Sequence, residues 1–121
     1  MGNDNQTLAI HNVLSLGMNP DSLDWEYFRD GIEISPIYES EAGCSAAFIR
    51  YAPGSTVPMH EHTGYEHILI LRGAQQVDDT EYSTGDLMIS PPGSSHQIQS
   101  KSGCVVLAIW EKPVKFINKQ G

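Results

Sequence analysis

The amino-acid sequence predicts an all-β sandwich or barrel. Short apolar or alternating runs recur roughly every 8–12 residues, bounded by Gly, Pro, Asp and Ser. No segment of convincing length repeats apolar residues at the helical period. The 121 residues show no repeat of solenoid or propeller period and no low-complexity linker, so one domain is expected.

Taken in order, residues 1–20 are polar apart from a patch between Leu8 and Leu16, and end in Gly17-Met18-Asn19-Pro20. They are expected as an N-terminal arm or edge strand lying on a domain made by residues 21–121. A turn leads into Trp25, Tyr27 and Phe28, aromatic cover for one end of the barrel. Ile32-Glu33-Ile34-Ser35 alternates as a half-buried strand does, and Pro36 confines it to an edge. Glu39 to Gly43 has hairpin-loop composition, and Ala46 to Tyr51 is a strand stopped by Ala52-Pro53-Gly54. Ser55 to His62 follows, then a tight turn at Thr63-Gly64-Tyr65, then Glu66 to Leu71. This last run is apolar at successive positions, so both faces are expected to be covered. Glu66, Ile68 and Ile70 share the interior face. His67, Leu69 and Leu71 share the other, which requires a second sheet or a second subunit and points to a homodimer. Arg72-Gly73-Ala74 reads as a turn, Thr80 to Ser83 as a short strand and Leu87 to Ser90 as a buried strand. Gln97-Ile98-Gln99 alternates, Cys104 to Trp110 is a long apolar strand, and Lys115-Phe116-Ile117 is expected to pair at an edge.

Composition narrows the function classes. Fifteen acidic against seven basic residues give a net charge of −8, with no Lys/Arg cluster, which disfavours nucleic acid as a partner. No apolar run approaches the roughly 20 residues that span a bilayer, and the first residues lack the basic and apolar regions of a leader, so a cytoplasmic chain without membrane partners is expected. Cys44 and Cys104 are far apart and have no charged neighbour to lower a thiol pKa, so both are expected as reduced, buried small hydrophobes.

The chemistry concentrates in His60-Glu61-His62-Thr63-Gly64-Tyr65-Glu66. Histidines two apart on a strand project from one face, and a turn through Gly64 brings Glu66 beside them. His96, in a separate Pro/Gly-rich segment, is a fourth candidate. Two imidazoles and a carboxylate, with a third imidazole within reach, are the donors of a mononuclear transition-metal site. A polar cluster without a metal is the plainer alternative, but such a set left unpaired costs several kcal/mol of desolvation.

The spacing of these residues resembles the two cupin motifs. The first runs Gly54, five residues, His60, one, His62, three, Glu66, six, Gly73, matching the family pattern at each fixed position. The second runs Gly85, five residues, Pro91, one, Gly93, two, His96, three, then Ser100, where the family usually has Asn. A finer likeness is to the ChrR-like cupins, over roughly residues 24 to 117. It rests on Trp25, Arg50 before Ala52-Pro53-Gly54, His-Glu-His-Thr-Gly before Glu66, and Ser94-Ser95-His96 followed by Gly103-Cys104. Where that group commonly has a second Glu, this chain has His67.

The resemblance implies a jelly-roll (double-stranded β-helix) barrel and one divalent metal held by His60, His62, Glu66 and His96. The donor set suits Fe, Mn, Ni, Co or Zn. No catalytic residue beyond the metal centre is identified; Arg50 is read either as an anchor for an anionic substrate or, equally, as one half of a surface or interface ion pair, and Tyr82, like Tyr51 and Tyr65, is a candidate pocket donor. Two functions remain open. One is a small metalloenzyme, a dioxygenase or isomerase acting on a small oxygenated molecule that chelates the metal. The other is a non-catalytic metal-dependent sensing or binding module, like the cupin domain of ChrR-type anti-sigma factors.

Overall fold

The computed structural model describes residues 5–117. Its strands are β1 (Glu26–Arg29), β2 (Ile32–Glu39), β3 (Ser45–Tyr51), β4 (Ser55–Glu61), β5 (Glu66–Val77), β6 (Thr80–Ser83), β7 (Leu87–Ser90), β8 (Ser95–Ser100), β9 (Cys104–Trp110) and β10 (Lys115–Phe116). They pair in the order β1-β2-β3-β9-β5-β8-β4-β10, with β6 and β7 also on β5. The chain is all-β, a sheet curled on itself as in a cupin. Among the described residues no helix is long and apolar enough to cross a membrane.

Alternation decides which side chains enter the barrel. Ile49 and Tyr51 of β3, Ile68 and Ile70 of β5, and Cys104, Val106 and Ala108 of β9 form one buried interior cluster with Ile32, Val57 and Ile98. The expected inward face of Glu66, Ile68 and Ile70 is the one observed, each at most 4% exposed.

Strand β5 does not turn at Arg72-Gly73-Ala74 as its sequence suggested. It bends. Its first half pairs with β7 and β9 and its second half with β6 and β8, across a register shift between Ile70 and Arg72. Gly73 takes φ +80°, and any side chain there would collide with the Gly103 carbonyl, so the glycine serves a bulge within a continuous strand.

The outer face of β3, β5 and β9 holds a second cluster, Phe48, Leu71 and Val105, joined by Leu69 and Leu107. Its cover comes from the chain itself: Val13 and Leu16, on a 3₁₀ turn over Val13–Gly17, and Leu23 and Trp25 pack on it. Between residues 5 and 20 no strand forms, because each backbone turn closes locally, as in Met18 N to Ser15 O. Leu69 and Leu71 thus meet the N-terminal segment rather than a second sheet.

Strand β7 differs from expectation too. Met88 is buried, but Leu87 and Ile89 are 58% and 55% exposed, because only one face of β7 looks into the barrel. Of the aromatic group, Tyr27 is exposed and Trp25 lies outside the barrel, leaving Phe28 at its mouth. Cys104 is buried as expected, whereas Cys44 is half-buried with its sulfur 3.0 Å from Ser40 Oγ; both thiols are free.

Candidate metal centre

Strand pairing assembles the site. His60 on β4 and His96 on β8 are direct cross-strand partners, so their rings share the interior face and lie 4.7 Å apart between centroids. His62 follows β4 and is fixed by backbone bonds on both sides, His62 N to Ser94 O and Gly93 N to His62 O, each 2.8 Å. The turn at Thr63-Gly64-Tyr65 returns the chain to Glu66, the first residue of β5. That turn is held by Thr63 Oγ1 donating to the Pro113 carbonyl and by Tyr65 N donating to Glu111 Oε1.

All four ligand candidates are buried, and the donor atoms of His60, His62 and Glu66 are aimed by a bond on the far side of the group. His60 Nδ1 lies 2.9 Å from the Pro58 carbonyl, and His62 Nδ1 lies 3.1 Å from the Ser94 carbonyl and 2.9 Å from its hydroxyl. Bonds of this kind settle the tautomer and leave Nε2 of both rings facing the centre. Glu66 Oε1 is 3.0 Å from His62 Nε2 and 3.7 Å from His96 Nε2. Nε2 of His96 is buried and has no hydrogen-bond partner. A buried imidazole nitrogen left without a partner costs free energy that a bound cation would recover.

One donor atom from each of His60, His62, Glu66 and His96 lies within 4.8 Å of the others. An ion with bonds of about 2.1 Å spans donors at most about 4.2 Å apart. Closure therefore needs only a few tenths of an ångström from each side chain. The set fits one divalent ion.

Electrostatics follow from this packing. Burial works against charge on His62, but the Glu66 hydrogen bond and charge outweigh it and raise the His62 pKa. Burial likewise opposes the Glu66 carboxylate, yet His62 and the Trp110 N–H hold its pKa below the usual value. Burial pushes His96 down to about 4, against the pull of Glu66. His60 is lowered by the same cause. His62 and Glu66 thus each favour the other's charged form.

The four predicted ligand candidates come together. Arg50 and Tyr82 do not join them, and Arg50 takes the ion-pair alternative. Arg50 lies on the outer face of β3, bonding Glu33 Oε1 at 2.6 and 3.0 Å and Asp21 at 2.9 Å, with its guanidinium 4.6 Å from the Trp25 ring centroid. Alternation explains this, since Ile49 and Tyr51 on either side of it take the interior. Tyr82 packs against the interior cluster without lining the cavity at the site. His67 points away from the centre, its ring stacked on Tyr65.

Trp110 was missed as a contributor: its Nε1–H donates to Glu66 Oε2 at 2.7 Å. The signal was present, because Trp110 continues the inward series Cys104, Val106, Ala108. The cavity beside Glu66 and His60 is about 40 Å³ and lined by apolar side chains, among them Phe28, Tyr51, Ile68, Val114 and Phe116. At the one departure from the motif, Ser100 is fully buried and donates from Oγ to the Ala74 carbonyl, which satisfies it within the bend of β5.

Comparison with known proteins agrees with the architecture. The chain is 25% identical over 103 residues to the anti-sigma-E factor ChrR of Cereibacter sphaeroides, covering 84% of this chain and 48% of that protein. The chain thus spans about half the length of that curated relative. The structure of ChrR bound to SigE from Rhodobacter sphaeroides superposes with TM-score 0.69 at 22% identity, over 79% of this chain and 54% of that one. An acetylacetone dioxygenase from Acinetobacter johnsonii superposes with TM-score 0.77 at 15% identity, over all of this chain and 83% of that one, a likeness of fold. The profile of the ChrR cupin-like domain matches residues 15–114. This chain therefore belongs to the ChrR cupin-like domain family.

Proposed function

We propose that the protein is a small mononuclear metalloenzyme in which His60, His62, Glu66 and His96 hold one divalent ion. The observation that carries this reading is the convergence of four buried donors, one of them an unpartnered imidazole nitrogen, on one point beside a cavity. The ion would supply open coordination positions and Lewis acidity, or an electron partner for O₂, to a small oxygenated substrate that chelates it. Four protein ligands leave one or two positions on a five- or six-coordinate Fe, Mn, Ni or Co, and none on tetrahedral Zn. The chain's own residues do the rest. The three imidazoles and Glu66 fix the ion's position, Trp110 orients the carboxylate, and the apolar lining keeps bulk water off the reacting molecule. The fold shared with an acetylacetone dioxygenase makes a β-diketone the first substrate to try.

A second reading, a metal-dependent sensing module, is favoured by the family match and by the cavity lining, which offers no carboxylate or imidazole beyond His60 and Glu66 to act as a base. The exposed apolar row Leu87, Ile89 and Ile109 across β7 and β9 supports a homodimer. The two free thiols suit the reducing cytoplasm.

Metal content of protein purified without oxygen or chelator tests the first reading. About one Fe, Mn, Ni or Co per chain is expected, falling sharply in His96→Ala and Glu66→Ala, with O₂ uptake or isomerisation in a diketone screen. Stoichiometric Zn and no turnover would move the protein to the second reading. An absence of bound metal would overturn both.

A further inference from the structure

Arg29 stacks on Phe116, a residue of the lining of the metal cavity, and nothing in the family assignment gives it a role. It sits on β1 opposite Ile32, which in turn pairs with Tyr51, so Arg29, Ile32 and Tyr51 form one row across the sheet. Ile32 and Tyr51 are interior residues, and Tyr51 lines the cavity beside His60 and Glu66. Cross-strand partners project from the same face, which puts Arg29 on the metal side of the sheet. The register shift between Tyr27 and Arg29 lets the adjacent Phe28 reach the same cavity.

The guanidinium carbon lies 4.8 Å from the Phe116 ring centroid, and that ring is 5.7 Å from the His60 ring. Phe116 thus bridges the cation and one imidazole of the centre. Arg29 is half-buried, and among the described residues no carboxylate lies within ion-pairing distance of it. The neighbouring Asp30 instead accepts from the Tyr27 hydroxyl at 3.0 Å. Arg50, by contrast, already has Glu33 and Asp21. A half-buried guanidinium without a carboxylate partner, stacked on an aromatic ring of the cavity lining, is a ready receptor for a carboxylate.

We propose that Arg29 is the specificity residue of the metal site, selecting a chelating ligand that carries a carboxylate beyond its metal-binding oxygens. The inference rests on the open metal position argued above. Such a ligand would place two oxygens at the centre formed by His60, His62, Glu66 and His96, its apolar edge against Phe116 and Phe28, and its carboxylate on the Arg29 fork.

The test compares two β-dicarbonyl chelators, acetylacetone and acetylpyruvate, which differ by one carboxylate. Binding to the Co(II)-loaded protein is followed by the visible Co(II) absorption. Acetylpyruvate is expected to bind at least tenfold more tightly than acetylacetone. Arg29→Gln is expected to bring the two within about twofold while leaving cobalt content and the unfolding midpoint near wild type. Arg29→Lys, which keeps the charge and loses the fork, should retain part of the preference. Equal affinities in the wild type, or a preference that survives Arg29→Gln, would overturn the role of Arg29 while leaving the metal site intact. Failure of both chelators to perturb bound cobalt would overturn the open metal position, and this inference with it.

Discussion

Trp110 Nε1 donates to Glu66 Oε2 at 2.7 Å, while the other oxygen of the same carboxylate faces the imidazoles of His62 and His96. Trp110 and Glu66 are direct cross-strand partners on β9 and β5, so the sheet ladder itself sets this bond. One oxygen is tethered and the other is presented.

Losing the tether should loosen metal binding. Bonds that orient a metal ligand are worth about 10–100-fold in affinity. Trp110→Phe is expected to weaken binding of Co(II) or Zn(II) about tenfold, measured by competition with a chromophoric chelator. Its far-UV circular dichroism should match wild type, because a phenyl ring keeps most of the apolar packing while removing the N–H donor.

Metal-free protein should be most stable near the ordinary imidazole pKa of 6.5. His96 and His60 have folded pKa values below the unfolded one, His96 at about 4. In that window the unfolded chain binds the proton more readily, so their contribution is intact above 6.5 and is lost as pH falls toward 4. Glu66 acts in the same sense, since its lowered pKa gives stability that disappears in acid. His62 acts oppositely, because its raised pKa stabilises the fold below 6.5 and that help is lost as pH rises through the folded value. Urea midpoints with chelator present should show the maximum, and His96→Ala should flatten the acid limb by about 2 kcal/mol.

Arg50→Ala should cost about 1 kcal/mol, since it removes a fork on Glu33 and a stack on Trp25 that are both partly solvated. Metal content should not change. A loss of metal in this variant would contradict the placement of Arg50 on the outer face.

Gly73→Ala should be among the most damaging single-methyl additions, of the order of 2–4 kcal/mol, because it combines a positive φ with a collision against the Gly103 carbonyl. Gly85→Ala meets nothing within 4 Å and should cost less, φ strain alone. Thermal unfolding of the two variants side by side checks the contrast.

Much of this was legible from local pattern. Period-two alternation placed Ile68 and Ile70 inward, and spacing brought four donors together, because both depend only on strand geometry. What failed depended on neighbours far away in sequence. Arg72-Gly73-Ala74 resembles a turn until Gly103 is seen behind it. Leu69 and Leu71 needed cover, but nothing local revealed that Val13 and Leu16 would provide it. For Arg50 the sequence left open an interior anchor or a surface ion pair, although alternation alone excluded the interior. Trp110 was in the inward series, yet its partner Glu66 is 44 positions away.

The pairing order has a bearing on how the protein is made. Strand β5 carries Glu66 but finds β7, β8 and β9 only later in the chain, and β4 is edged by β10, later still. Synthesis delivers residues from the N-terminus onward, and long-range β pairing waits until both partners exist. A nascent chain that has released His60, His62 and Glu66 therefore still lacks His96, the Trp110 tether and Phe116 at the mouth. An ion held as proposed would gain its fourth ligand, the tether on Glu66 and its apolar cover only once β8, β9 and β10 have paired.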